Sequence, residues 1–380
     1  MRLTKVRVTG FKSLTDFELD LSPFTCLIGL NGCGKSTVLQ FFDFISHVLA
    51  GDVDEWFDAR DWDFADVAAP SRTTIEFDLM FSDAGTWSGE YDVESRRCIR
   101  EGIHTGGESR WLDGGKTNLL GVDSGISGGK TFDTTSLAYR GSITNIVRNE
   151  ALPEPIRKLK EFVGHLRAFD TLAPQFLRRR DRQQRDSIGH SGEYLASFFD
   201  ALSEHSRAAI VDDLAKLYPH LENVFPQSHQ GGWKELVLHE AYETQSHLMS
   251  TSKHMNDGLL RTLAILVALR SEHSFLLFDE IENGINPELI EALIEKLTAA
   301  SHQVLVTTHS PMILNYLDDD LARESVVFLH KGPDGGTRSK RFFEIPSMRD
   351  KLEVMGPGEV FVDTNLTALS EELNSAVSGA

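Results

Sequence analysis

The feature that most constrains the fold is a glycine-rich loop with the sequence Gly29-Leu30-Asn31-Gly32-Cys33-Gly34-Lys35-Ser36. The preceding residues, 24–28, are largely apolar and predict a buried β-strand. The following residues, 36–49, repeat large apolar side chains at helical spacing and predict an α-helix with one buried face. A strand, a tight glycine loop and a helix in this order indicate an α/β protein that binds phosphate groups at the helix N-terminus.

The chemistry of this loop predicts a role for each of its residues. Glycines let the backbone wrap closely around phosphates, and the amide groups form a nest for anions. We expect Lys35 to reach the β- and γ-phosphates of ATP, Ser36 to ligate Mg²⁺, and Thr37 to bond an α-phosphate oxygen. The predicted nucleotide-binding residues here are Gly29, Asn31, Gly32, Cys33, Gly34, Lys35, Ser36 and Thr37.

A second segment supplies acidic chemistry. The apolar run at 275–278 predicts a buried strand that ends in Asp279 and Glu280. We expect Asp279 to hold Mg²⁺ and Glu280 to polarise the attacking water. Many strands end in acidic residues, so this pattern gains its meaning jointly with the loop, because phosphoryl transfer needs both a phosphate cradle and a carboxylate beside the metal.

Two further segments have both a functional and a structural interpretation. Residues 255–261 open a helix that Asn256 or Asp257 can cap and in which Gly258 lets the backbone approach an anion, but an ordinary helix cap explains the same residues. His309 follows the apolar strand pattern at 304–308. It is either a structural histidine or a group that bonds the γ-phosphate and senses its loss.

The remaining pattern predicts an α/β protein with a parallel sheet. Further strands are expected at 4–8, 72–82, 90–113, 235–238 and, as a closing hairpin around Gly335-Gly336, at 326–329 and 341–345. Helices are expected through 153–221 and at 259–269, and a loop is expected at 114–141, which is rich in glycine, serine and threonine.

Composition indicates a soluble cytoplasmic protein. No apolar run approaches the roughly 18 residues that cross a bilayer, and the first residues enter a strand pattern without a signal peptide. The three cysteines have no paired spacing. The formal net charge of −19 excludes a broad basic surface for tracking along DNA. Any contact with nucleic acid would need a local basic patch. The densest cluster of basic residues is Arg178, Arg179, Arg180, Arg182 and Arg185. This cluster is either such a patch or a solvated helix face whose charge Asp181 and Asp186 balance.

The order of these motifs resembles the ABC-type ATPase heads of the SMC/RecF-like group, especially compact AAA-family ATPases related to overcoming-lysogenization-defect (OLD) proteins. Residues 2–14, with Gly10-Phe11-Lys12-Ser13, resemble the first strand and turn of that family. The loop, the signature-like segment 255–261 and the acidic pair follow in the family's order. Residues 282–287 resemble its D-loop, and His309 stands where its switch histidine is expected.

The resemblance implies an ATPase that dimerises with two ATP molecules sandwiched between the loop of one copy and the signature of the other. Asn256 and Gly258 would then contact the nucleotide of the partner, with Asn256 standing where the family often has serine. Asn286 stands where related proteins often have histidine, and Gln175 is the candidate for the magnesium-sensing glutamine.

The resemblance also implies an α/β fold of the ABC-ATPase-like P-loop NTPase type, with a mixed sheet and an inserted helical lobe, and a division of the chain. Residues 1–113 would form the first half of the ATPase head, 114–230 a flexible loop and helical insertion, 231–345 the second half, and 346–380 a tail. The insertion is too short for a long coiled coil, and we expect no room for a C-terminal Toprim nuclease domain.

Three functions remain open from the sequence. The first is the ATPase subunit of a bacterial anti-phage defence system that acts with a separate effector. The second is a RecF-like repair ATPase that binds DNA ends or gaps. The third is a scaffold that binds ATP without turnover, against which Glu280 argues because a pure binder needs no water-activating carboxylate.

Overall fold

The computed structural model of the chain describes residues 1–70, 72–83, 85–104, 110–113, 116–117, 132–133, 137–170, 172–183, 185, 187–242 and 247–378. The chain divides into two compact units. Unit 1 comprises Met1–Leu166, Asp319–Gly356 and Val360–Ala380, and unit 2 comprises Arg167–Asp318 and Pro357–Glu359. The segment predicted as an insertion, 114–230, therefore contributes to both units. Within the described ranges, every helix is too short or too polar to cross a lipid bilayer.

The strands form several sheets within the two units. Their bounds are β1 Leu3–Thr9, β2 Phe17–Asp20, β3 Phe24–Gly29, β4 Thr74–Phe81, β5 Gly85–Asp92, β6 Arg97–His104, β7 Arg110–Asp113, β8 Lys116–Thr117, β9 Phe132–Asp133, β10 Leu166–Phe169, β11 Leu221–Ser228, β12 Lys234–Ala241, β13 His247–Thr251, β14 Phe275–Phe278, β15 Gln303–Thr307, β16 Val326–Lys331 and β17 Thr337–Arg341.

The helices are short except for α1, α4, α7, α8, α9 and α14. Their bounds are α1 Lys35–Ala50, α2 Val53–Asp58, α3 Phe64–Val67, α4 Glu154–Gly164, α5 Pro174–Leu177, α6 Leu195–Ala201, α7 Glu204–Leu217, α8 Asp257–Ala268, α9 Pro287–Thr298, α10 Pro311–Asn315, α11 Asp319–Ser325, α12 Pro346–Leu352, α13 Pro357–Val362 and α14 Leu366–Ser378.

Unit 1 contains an antiparallel sheet in the order β2-β1-β4-β5-β6-β7-β8-β9. It also contains the strand that leads into the glycine-rich loop, because β3 pairs in parallel with β16, and β16 pairs antiparallel with β17. In unit 2, β14 lies between β10 and β15 and pairs in parallel with β15. A separate antiparallel sheet in unit 2 has the order β11-β12-β13. The predicted mixed α/β fold is therefore confirmed.

Several local predictions are wrong. The segment predicted as helical at 153–221 includes strand β10 and the start of β11. The second strand of the closing hairpin is Thr337–Arg341 rather than 341–345, because its polar side chains suit a partly exposed strand while Phe342 and Phe343 are buried in a following 3-10 turn. The strand Phe17–Asp20 has no counterpart in the prediction. Of the loop predicted at 114–141, residues 116–117 and 132–133 form short strands, and the other residues before 137 lie outside the described ranges.

The core around α1 is aromatic. The ring of Phe44 has its centroid 5.4 Å from that of Phe11, 5.2 Å from that of Trp56 and 5.1 Å from that of Tyr91. All four side chains are buried. Large rings at these separations bury much apolar area, and the pairs with Trp56 and Tyr91 add edge-to-face attraction. This cluster therefore holds α1 against its neighbours in unit 1.

We expect Phe44→Ala to lower the free energy of unfolding by about 3–5 kcal/mol, because it leaves a cavity among three aromatic rings. Urea denaturation followed by fluorescence measures this loss. Phe64, whose exposed fraction is 38%, provides the matched control. Phe64→Ala should change stability by less than about 1 kcal/mol, and equal losses in the two variants would contradict the assignment of Phe44 to the core.

Candidate functional site

The glycine-rich loop lies in unit 1 between β3 and α1, and two of its glycines are required by close backbone approach. A Cβ atom at Gly29 would lie 2.3 Å from the carbonyl oxygen of Leu329 on β16. A Cβ atom at Gly34 would lie 2.3 Å from Oγ1 of Thr337 on β17. Gly34 also has a φ of 113°, in the left-handed region that favours glycine. The loop conformation thus depends on both residues lacking a side chain.

Lys35 is the buried cation of this loop. Its side chain is only 6% exposed, and its Nζ donates to the carbonyl oxygens of Gly29 at 2.9 Å and Leu30 at 3.2 Å. The Cys33 sulfur lies 3.9 Å from the same ammonium. Burial raises the pKa of the Cys33 thiol, so the ammonium faces neutral dipoles of the loop. A buried lysine in this position is suited to an anionic ligand.

The other predicted loop residues present polar groups to solvent. Asn31, Gly32 and Ser36 are exposed, and Thr37 is half-buried on the first turn of α1. The first backbone bond of the helix is donated by Val38 to Gly34 at 3.0 Å, so the preceding amides are of the kind that a helix N-terminus offers to anions. These groups together with Lys35 fit the phosphate chain of a nucleotide, and the Ser36 hydroxyl is a suitable oxygen ligand for Mg²⁺.

Thr337 stabilises the loop through hydrogen bonds, and the sequence did not predict this role. Its buried hydroxyl donates to the carbonyl oxygen of Cys33 at 2.8 Å and lies 2.8 Å from the hydroxyl of Ser13. The Thr337 amide donates to the Ser13 carbonyl at 2.7 Å. Ser13 belongs to the turn on which the family resemblance rests, but nothing in the sequence around Thr337 signals this contact.

The acidic pair lies in unit 2 directly after β14, and one hydroxyl orients both residues. Thr307, fully buried at the end of β15, donates its hydroxyl hydrogen to Oδ1 of Asp279. The Thr307 hydroxyl oxygen in turn accepts the backbone amide of Glu280 at 2.8 Å. The Asp279 amide donates to the carbonyl oxygen of Phe169 on β10 at 3.1 Å. Thr307 was part of a predicted strand without an assigned role.

Glu280 has an unusual backbone. Its φ of 48° places it in the left-handed region, which is uncommon for a residue with a side chain and is often found at functional sites. Its carboxylate accepts a hydrogen bond from Nδ2 of Asn283 at 3.1 Å, and its side chain is half-buried. The strand therefore ends in a bend at Asp279 and Glu280, and Asn283 positions the Glu280 carboxylate.

The signature-like segment and the D-loop-like segment contact each other. A Cβ atom at Gly258 would lie 2.8 Å from the carbonyl oxygen of Gly284, so a side chain there would displace the D-loop-like segment. Arg261, one turn along α8, donates to the carbonyl oxygen of Asn283. Burial lowers the pKa of Arg261, an effect opposed by the charges of Asp257 and Glu280. Gly258 is thus explained by packing as well as by its predicted contact with nucleotide.

Asn256 is the N-cap of α8, as the structural interpretation of this segment predicts. Its Oδ1 accepts the amide of Leu259 at 2.6 Å. The neighbouring carboxylate of Asp257 accepts a hydrogen bond from Arg178, which also donates to the carbonyl oxygen of Met255 at 2.8 Å. The start of α8 is therefore fixed on both sides.

The remaining predicted residues have identifiable partners or exposure. His309 is exposed, and its backbone amide donates to Oε1 of Glu282 at 2.9 Å. Asn286 caps α9 by accepting the amide of Glu288 at 3.3 Å. Gln175 is exposed on α5. The hydrogen bond between Glu282 and His309 therefore joins the D-loop-like segment to the predicted switch histidine.

The arginine cluster does not form the solvated helix face that one interpretation predicts, because α5 ends at Leu177 and the arginines follow in a largely irregular segment. Arg178 pairs with Asp257, and Arg180 pairs with Glu235. The other guanidinium groups lie over aromatic rings, namely Arg179 over Phe176, Arg182 over Trp233 and Arg185 over Tyr194. Of the two acids expected to balance the cluster, Asp181 is buried against Ser197 and Asp186 lies outside the described residues.

The predicted site residues thus fall into two sets. Unit 1 holds the loop with Lys35 and Ser36, and unit 2 holds Asp279, Glu280, Asn256, Gly258 and His309. Unit 2 brings the acidic pair together with Thr307 and the signature-like segment together with the D-loop-like segment.

Comparison with known proteins agrees with this arrangement of motifs. Residues 1–92 match the family model described as "AAA ATPase domain", and residues 164–315 match the one described as "AAA domain, putative AbiEii toxin, Type IV TA system". An OLD nuclease of Thermus scotoductus is 29% identical over 106 residues. This match covers 26% of the chain but only 18% of the relative.

Two solved structures have the same fold. The SmcHead bound to the C-winged helix domain of ScpA has a TM-score of 0.54 at 15% identity, with 90% of this chain and 99% of that one covered. The Smc head domain with an extended coiled coil, bound to the C-terminal domain of ScpA derived from Pyrococcus furiosus, has a TM-score of 0.52 at 13% identity, with 93% and 99% covered.

The chain is thus similar in part to AAA-family ATPase domains and to an OLD nuclease, and its fold is that of the SMC heads. The family resemblance found in the sequence is confirmed. The loop, the acidic pair and the signature-like segment each belong to a separate strand-to-helix connection.

We expect Thr307→Val to lower the free energy of unfolding by about 1–3 kcal/mol, because it leaves the Glu280 amide and the Asp279 carboxylate without the hydroxyl of the buried Thr307 that both contact. Thermal or urea unfolding measures the loss. Thr307→Ser, which keeps the hydroxyl, should recover most of it. A valine variant as stable as the serine variant would show that this hydroxyl does not hold the acidic pair.

Proposed function

We propose that the chain binds and hydrolyses ATP with Mg²⁺, and that nucleotide drives it to form a homodimer. The observation that carries this proposal is the bend after β14, where the Thr307 hydroxyl holds Asp279 and the left-handed backbone of Glu280 in one arrangement. A strained backbone that presents a carboxylate is unexpected in a protein that only binds nucleotide.

The residues of this chain have separable roles in the proposed reaction. Lys35 and the loop amides bind and orient the phosphates. Ser36 and Asp279 are the oxygen donors that would hold Mg²⁺, and the ion would neutralise phosphate charge. Glu280 accepts the proton of the attacking water or orients that water, with its carboxylate positioned by Asn283. His309 contacts the γ-phosphate and responds to its loss.

Dimerisation is proposed from the signature-like segment. In the proposed dimer, Asn256 and Gly258 of one copy face the nucleotide bound by the other. The side-chain oxygen Oδ1 of Asn256 already accepts the Leu259 amide. The side-chain NH₂ of Asn256 is therefore the group that would donate to a phosphate. Because Gly258 packs against Gly284, a nucleotide bound at Gly258 would also affect the position of the D-loop-like segment.

We propose that this ATPase belongs to an anti-phage defence system and acts with a separate effector protein. The sequence similarity to an OLD nuclease and the family description that names a toxin of a Type IV TA system both support this assignment. A RecF-like repair ATPase is the alternative. The net charge of −19 and the pairing of Arg178 and Arg180 with carboxylates leave less free basic surface for DNA and favour the defence role.

Lys35→Ala should abolish nucleotide binding, because the buried ammonium is the main cation of the loop. Titration with a fluorescent ATP analogue measures the affinity, and Lys35→Met, which keeps most of the side-chain volume, should behave in the same way. Lys158→Ala, at a side chain 61% exposed, is the matched control and should bind as the unaltered chain does. Unchanged affinity in both Lys35 variants would rule out the loop as the nucleotide site.

Glu280→Gln should bind ATP with near-normal affinity but lower the turnover rate by about 10²–10⁴-fold, because the amide cannot accept a proton from water. Phosphate release measures turnover, and light scattering with ATP should detect an accumulated dimer. Glu291→Gln, on the exposed face of α9, should leave both unchanged. A Glu280→Gln variant that stays monomeric with ATP would refute the dimeric site, and one that hydrolyses ATP normally would refute the role of Glu280.

A further inference from the structure

The sheet β11-β12-β13 of unit 2 carries a cluster of potential metal ligands that the ATPase function does not use. Glu222 lies on β11, His239 on β12 and His247 on β13. One ligand atom from each lies within 4.8 Å of the others. Two imidazoles and one carboxylate are a donor set found in zinc sites.

The strand register places these side chains on one face. His247 pairs with Ala241, and His239 pairs with Met249, so the two histidines are diagonal neighbours across the β12–β13 ladder. The register of β11 against β12 shifts between Leu221 and Asn223, which makes Glu222 the extra residue of a β-bulge. A bulge re-aims side chains, and here it brings the Glu222 carboxylate to the histidines.

The distances suit a metal ion. Oε2 of Glu222 lies 3.1 Å from Nδ1 of His239 and 3.7 Å from Nδ1 of His247. The two imidazole rings are stacked, with centroids 5.2 Å apart and planes at 25°. A tetrahedral zinc ion with bonds of about 2.0–2.2 Å separates its ligand atoms by about 3.3–3.5 Å. The carboxylate therefore already lies near ligand spacing from both rings.

We propose that Glu222, His239 and His247 bind a zinc ion. Imidazole nitrogens favour zinc over magnesium and calcium, which prefer oxygen ligands. The side chains of Glu222 and His247 are 51% and 56% exposed, so the ion can enter from solvent and keep a water molecule as its fourth ligand. The ion joins all three strands of the sheet at one end.

The position of this site gives it a structural consequence. Strand β13 ends at Thr251, and the chain reaches the cap of α8 at Asn256 after four intervening residues. Ser252, between them, donates its amide to the carbonyl oxygen of Leu236 on β12 at 2.8 Å. A zinc ion that fixes β13 to β12 would thus restrain the strand from which the signature-like segment emerges.

The test is isothermal titration of the full-length chain, stripped of metal with a chelator, with Zn²⁺ in excess Mg²⁺. Magnesium occupies oxygen-rich sites such as one at Asp279, so the remaining signal reports a site with nitrogen ligands. We expect one zinc ion per chain, and we expect His239→Ala, His247→Ala and Glu222→Gln each to weaken binding by at least about 10–100-fold, the range seen when even residues behind the ligands are removed. Zinc should also slow hydrogen exchange of the β13 amides in the unaltered chain but not in His247→Ala.

His205→Ala is the matched control, because His205 is an exposed histidine of the same unit on α7. It should bind zinc as tightly as the unaltered chain. Equal zinc affinity in the unaltered chain and all three ligand variants would overturn the proposal, as would displacement of zinc by magnesium. None of the four positions belongs to the proposed ATPase site, so loss of zinc binding with intact ATP binding separates this proposal from the proposed function.

Discussion

The candidate site depends on close approach between backbone segments at glycine positions. In unit 1, the strand β3 and the start of α1 come so near to β16 and β17 that neither Gly29 nor Gly34 has room for a Cβ atom. This approach brings the Thr337 hydroxyl to the Cys33 carbonyl and leaves the carbonyls of Gly29 and Leu30 to surround the Lys35 ammonium. A buried lysine is costly without such dipoles, so the glycines make the cationic loop possible.

Close approach at a glycine also shapes unit 2, together with side-chain hydrogen bonds to the backbone. Gly258 packs against the carbonyl oxygen of Gly284, and Arg261 donates to the preceding carbonyl. The Thr307 hydroxyl spans Asp279 and Glu280. Each set of proposed catalytic residues is therefore preorganised within its own unit, which reduces the ordering that nucleotide must impose on side chains.

The sequence predicts the parts of this site whose structure follows from local apolar pattern. It does not predict the parts whose structure depends on contacts between residues far apart in the chain. The strand–loop–helix around Lys35 and the strand before Asp279 have strong apolar periodicity, and both are confirmed. Strand β10 and the irregular arginine segment were not predicted, because β10 depends on pairing with β14, and the arginine segment depends on Asp257 and Glu235, all far along the chain. Thr337 and Thr307 look like ordinary strand residues, since a single buried hydroxyl leaves no periodic signal.

The start of α8 shows why single changes in the signature-like segment are difficult to interpret. Three separate interactions restrain it, namely the Asn256 cap, the pairing of Arg178 with Asp257 and the contact of Gly258 with Gly284, and the proposed zinc ion would restrain the strand before it. Residues that share one short segment couple energetically, so their effects do not add. If these restraints substitute for one another, a chain that lacks both the Arg178 pairing and the Asn256 cap should lose more stability than the sum of the two single losses. Additive losses would instead mean that each restraint fixes a different part of the segment.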